Sequence, residues 1–154
     1  MSLRERLEEG LKTALKEGRK NDVATLRLTL SDVKYAEKEK RGPLEEGEMV
    51  ALFRSAVKKR TEAIALFKKG DRQDLVAKET AEVRLLEQFL PAAMNEEELS
   101  ALIEEAVGET GASSPRDMGA VMKWLMPRLA GRADGSLVSR LVKGRLVPPG
   151  GENG

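Results

Sequence analysis

The side chains with most chemistry to offer lie near the carboxyl end. Between residues 111 and 147 stand Arg116, Lys123, Arg128, Arg132, Arg140, Lys143 and Arg145, opposed only by Asp117 and Asp134. Lysine and arginine at that density neutralise phosphates, so Lys123, Arg128, Arg132, Arg140, Lys143 and Arg145 are candidate nucleic-acid contacts. The plainer alternative is that they only solubilise a small domain. Arg140, Lys143 and Arg145, spaced by three and two residues, spread over an arc of one helix and suit a broad surface better than a groove. Trp124, the lone tryptophan, falls off the apolar stripe of its helix, where it can either pack or stack on a base. Gly119 sits inside the same helix at a cost of up to about 1 kcal/mol relative to alanine. Close helix packing is the first explanation, and backbone approach to a ligand the second.

Other chemistry is excluded or unsupported. With no histidine and no cysteine, the commonest general base, thiolate nucleophiles and the usual transition-metal ligands are absent. Glu96, Glu97 and Glu98 fall in a first helical turn, and Glu104 and Glu105 on an outward face, so a solvated surface explains them better than a metal or acid/base site. No phosphate loop, dinucleotide fingerprint, nucleophile elbow or zinc-protease motif is present. The residues therefore indicate no catalytic side chain, no metal, no cofactor and no independent enzymatic activity. The charged opening residues and the lack of a long apolar run predict neither export nor membrane insertion, and the missing cysteines suit the reducing cytoplasm.

The elements that must position these groups are helical. Charged residues make up 34% of the 154 and aromatics 3%, which suits solvated helices and predicts an all-α fold. Ser2 with Glu5 has capping-box spacing before Leu3, Leu7, Leu11 and Leu15. Asn21 is the expected cap of a second helix, with Val23, Leu26, Leu30 and Val33 inward. A third helix runs from about Glu45 to Lys69 with Met49, Phe53, Ile64 and Phe67 on its apolar face, and Gly70 stops it. Asp71 is the expected cap of a fourth helix, which Pro91 closes. Asn95 with Glu98 opens a fifth helix after the hinge Pro91 to Met94. Ser114 to Asp117 starts a sixth, with Met118, Val121, Met122, Leu125 and Leu129 inward and Pro127 expected to kink it. The turn Gly131 to Gly135 leads to a seventh, capped by Asp134 and striped by Leu137, Val138, Leu141 and Val142. The expected division is an amino-terminal helical domain of about four helices at 1–94, a three-helix domain at 95–147 and a disordered tail at 148–154. Charge is sorted along the second part: residues 95–110 hold six glutamates and no base.

Asp117-Met118-Gly119, Val121-Met122, Leu125-Met126-Pro127 and Gly131-Arg132-Ala133-Asp134-Gly135, followed by Val138 and Leu141, occur here in one order. That series resembles the carboxyl-terminal motif of the YqeY family, whose module recurs at the tail of the B subunit of glutamine-dependent tRNA amidotransferases. Met1-Ser2-Leu3 with Leu7, Leu26-Arg27, and Glu87 with Leu90-Pro91 resemble stand-alone YqeY proteins, so the likeness covers nearly the whole chain. It implies an amino-terminal helical domain and a small three-helix domain. It also implies tRNA as partner, because the equivalent tail is understood to hold tRNA. The family name further suggests a carbon-nitrogen ligase with glutamine as amido donor, but the Ser-Ser-Lys amidase machinery and the phosphorylating cradle have no counterpart in these residues.

The expected function is thus that of an accessory protein binding tRNA through backbone and shape. The rival is a protein-interaction adaptor that docks a larger enzyme through the acidic fifth helix or the domain cleft, and an amidotransferase-like enzyme ranks last. Arg27 and Lys34, one heptad apart, interrupt the second helix; they are either a second contact surface or ion-pair partners of glutamates in the third helix. The sequence sets no oligomeric state.

Overall fold

The structure, a computed structural model, describes residues 1–147; the expected disordered tail lies outside them. Among the described residues all regular structure is helical: α1 (Leu3–Lys16), α2 (Lys20–Lys40), α3 (Glu46–Lys69), α4 (Gln73–Glu87), α5 (Glu96–Thr110), α6 (Met118–Leu129) and α7 (Gly135–Leu146), with a 3₁₀ turn at Pro115–Asp117. The fold is all-α. The chain divides into two compact units, Met1–Pro91 and Ala92–Gly154.

The first unit gathers α1 to α4 around Leu3, Leu7, Leu26, Val33, Met49, Phe53, Leu86 and Phe89. Ser2 caps α1 by accepting the Glu5 N–H at 3.1 Å, while the Ser2 N–H donates to the Glu5 carboxylate. The Leu3 N–H, an orphan donor of the first turn, reaches the Glu46 carboxylate at 2.8 Å, which ties the start of α1 to the start of α3. Glu37 does the same for the α2–α3 turn: it accepts the Leu44 N–H at 2.9 Å and pairs with Arg4. The Leu44 hydrogen bond and the Arg4 guanidinium hold its carboxyl below the usual range. At the base of the bundle Phe89 meets Phe53 edge to face at 6.2 Å. Arg6 covers its ring at 5.9 Å and donates to the carbonyls of Gln88 and Phe89.

Two caps differ from expectation. Gly18, with φ +69°, reverses the chain so sharply that α2 begins at Lys20 with Arg19 at the cap position, and Asn21 lies inside the first turn. After α3, Asp71 and not Gly70 takes the left-handed conformation, so Arg72 holds the cap position of α4. The outer half of α3 is also wetter than its pattern predicts. Ile64 and Phe67 are only half-buried, α4 being the main neighbour of the helix.

The second unit packs α5, α6 and α7 around Leu99, Ile103, Val121, Leu125, Leu129, Val138, Val142 and Leu146. Asn95 caps α5 through the Glu98 N–H at 2.8 Å, and Gly111, with φ +67°, ends it. Asp134 caps α7 through the Ser136 N–H at 3.1 Å. The buried stripe of α7 is Val138, Val142 and Leu146, whereas Leu141 is exposed. Three residues one helical turn apart suffice against two neighbours, so the expected stripe is rotated away from Leu141.

Candidate nucleic-acid interface

The site begins where α6 is started. Pro115 opens the 3₁₀ turn with a fixed φ and no N–H to leave unsatisfied. Asp117 turns back to accept the N–H groups of Ser113 at 2.8 Å and Ser114 at 3.1 Å, and these two donors hold its carboxyl below the ordinary range. The turn thereby delivers α6 with Val121, Leu125 and Leu129 buried and with Arg116, Gly119, Ala120, Lys123 and Met126 exposed. Pro127 lies inside α6, and Ala130 and Gly131 end it in left-handed backbone.

Gly119 does not serve helix packing: beyond its chain neighbours and the backbone of its own helix, a methyl group at its Cβ position would meet nothing within 4 Å. The expectation of close packing fails because Gly119 faces away from the core stripe. Trp124 is half-buried against the core of the unit, and the Arg128 guanidinium lies 3.8 Å over its ring. Arg128 also donates to the Trp124 carbonyl at 2.7 Å. The indole is therefore covered on one side by an exposed cation. A tryptophan with an arginine four residues later on one helix is a sequence signal for this stack, and the sequence reading did not use it.

The six candidate cations divide into two groups. Lys123, Arg140 and Lys143 are exposed on α6 and α7 with no carboxylate at ion-pair distance among the described residues, and Arg128 rests on Trp124. Arg132 and Arg145 are engaged by α5. Arg132 is half-buried, donating to the Ala92 carbonyl at 2.9 Å and to Glu98 at 3.1 Å, while its own carbonyl accepts the Met94 N–H at 2.9 Å. Arg145 grips Glu104 with both Nε and Nη2; the carboxyl is held below its ordinary range and the guanidinium raised above its own. The acidic helix and the basic stretch, separate in sequence, are thus stitched together at two points. Among the described residues no three His, Cys, Asp or Glu side chains gather as a metal site, and no helix is long and apolar enough to cross a membrane.

A family model described as Yqey-like protein matches residues 4–146. The chain belongs to the YqeY family. Relatives include an uncharacterised protein of Schizosaccharomyces pombe, 32% identical over 85 residues, covering 55% of this chain and 69% of that one. A second is altered inheritance of mitochondria protein 41, mitochondrial, of Pyrenophora tritici-repentis, 28% identical over 142 residues, covering 90% of this chain and 77% of that one. In this YqeY protein the matched span takes in most of both compact units and every residue of the candidate interface.

Proposed function

We propose that the carboxyl-terminal unit binds RNA, with tRNA as the partner class, and that the protein acts as an accessory factor and not as a ligase. The observation that carries this reading is the set of exposed cations on α6 and α7 that no glutamate of α5 engages: Lys123, Arg140 and Lys143, with Arg128 resting on Trp124. Lysines without acidic partners give up no ion pair when they meet phosphate, so their counterion release drives binding in full. A guanidinium held over an indole is positioned in advance to meet a base or a phosphate. The resemblance of this stretch to an amidotransferase tail understood to hold tRNA supports the same partner. Arg132 and Arg145 are assigned to holding the unit together. A cytoplasmic or other reducing compartment suits a chain without cysteine, and one relative carries a mitochondrial name.

Titrating labelled tRNA with the full chain at increasing salt tests the reading. The K123Q/R140Q/K143Q variant is expected to bind more weakly and to lose roughly 0.7 to 0.9 of log-log salt slope per contact removed. Glu104→Gln, which frees Arg145, is expected to strengthen binding. Absence of salt-sensitive tRNA binding by the wild-type chain at about 50 mM salt, where phosphate contacts are strongest, overturns the RNA reading in favour of the adaptor.

A further inference from the structure

α2 has two apolar faces. Leu26 and Val33 face the core of the first unit, and on the opposite side Ala24, Leu28, Ser31 and Tyr35 stand in solvent, Leu28 54% and Tyr35 68% exposed. These four are spaced by four, three and four residues, the rhythm of a seam between two helices. Asn21 and Lys38 extend it by one step at either end. Along one edge of the seam Lys20, Arg27 and Lys34 recur every seven residues, and along the other Asp32 and Glu39 are seven apart. All five are exposed, and none has an ion-pair partner among the described residues. Arg27 and Lys34 are therefore not the expected partners of glutamates in α3.

In a parallel pair of helices, a residue on the edge just before the seam faces the residue five further on along the other helix. Setting α2 beside a second copy of itself brings Arg27 to Asp32 of that copy and Lys34 to its Glu39. The two-fold axis doubles both pairs, giving opposite charges at each position. An antiparallel arrangement would instead set the basic edges against each other. We propose that α2 is a homodimerisation helix, through which two chains associate in parallel along Ala24, Leu28, Ser31 and Tyr35 with Arg27–Asp32 and Lys34–Glu39 pairs on both flanks.

The small side chains of Ala24 and Ser31 allow close approach, and Asn21 at a seam position meets its counterpart and sets the register. With a seam of about two heptads, the dimer belongs to the weak, concentration-dependent class. The acidic edge is what favours a second copy over a nucleic acid: Asp32 and Glu39 border the same seam and repel a phosphate backbone. This inference is independent of the RNA reading, which concerns residues 92–147.

Sedimentation equilibrium of the full chain from about 5 µM to about 500 µM, the range of weak association, tests it. A reversible monomer–dimer equilibrium that weakens with salt is expected. R27E/K34E and D32K/E39K, each checked for unchanged helicity, should each self-associate at least about tenfold more weakly, a loss of about 1.4 kcal/mol. Mixed together, the two variants should pair with each other, because each edge then meets its opposite. A chain that stays monomeric throughout, a dimer indifferent to charge reversal, or two variants that fail to pair overturns the proposal. So does a monomer in which tRNA shields Lys20 and Lys34 from acetylation, which would give this face to RNA.

Discussion

Gly10 stands in α1 where the Phe89 ring presses against the helix. An added Cβ would lie 2.7 Å from the ring's Cζ, and the ring cannot simply swing aside, since Phe53 and Arg6 hold it. Alanine would gain up to about 1 kcal/mol of helix propensity, but overpacking a well-filled core costs about 1–3 kcal/mol. Gly10→Ala is therefore expected to lower stability by roughly 1 kcal/mol, read as a reduced urea midpoint at unchanged slope. A raised midpoint would show that Phe89 yields freely. Nothing local in the sequence marks Gly10, because its reason lies 79 residues away in Phe89. The Trp124–Arg128 stack is the opposite case, since both members lie within one turn of one helix.

The α3–α4 hairpin carries its own electrostatic balance. Arg60, with only 14% of its side chain exposed, bonds Glu82 at 3.0 Å, with Glu79 at 3.9 Å. Burial pushes the Glu79 carboxyl up, and the neighbouring Glu82 pushes it the same way. A carboxyl raised in the folded state binds its proton more tightly there than in the unfolded chain. The stability it contributes is full below the unfolded value, about 4.3, and is lost as pH rises through the folded value. Glu79→Gln should thus melt higher than wild type at pH 7, with the gap closing towards pH 4. Glu82→Ala should melt lower, by about 1–3 kcal/mol of stability, because it strips Arg60 of its nearest acceptor. Thermal melts across that pH range check both; equal effects of the two substitutions would refute the assignment. The helices themselves were legible from apolar period and from the Ser2, Asn95 and Asp134 caps. The starts of α2 and α4 were not, because the hydrogen bonds of the preceding turns decide which residue begins the next helix.

At the scale of the molecule, each unit has its own apolar core. In the second, Arg132 binds the segment leading into α5 through the Ala92 carbonyl, the Met94 N–H and Glu98. A chain of residues 92–147 is expected to fold cooperatively by itself, shown by helical circular dichroism and a single thermal transition. Arg132→Ala is expected to destabilise it by about 1–3 kcal/mol, since three hydrogen bonds converge on one half-buried residue, two on its side chain. A non-cooperative melt would show that the second core needs the first unit.

The sequence by itself determined the number of the helices and most of their buried faces, the charge sorted along residues 95–147, the lack of histidine and cysteine, and the family likeness. All of these are properties of composition or of spacing within a few turns. Only the tertiary structure decided which cations are committed. Glu98 meets Arg132 across 34 residues and Glu104 meets Arg145 across 41, whereas Arg27, Lys34 and Lys123 meet no carboxylate among the described residues. Helical period tells which way a side chain points; what it meets there depends on how the chain returns, and ion pairing over such separations follows from the packing of α5 with α6 and α7.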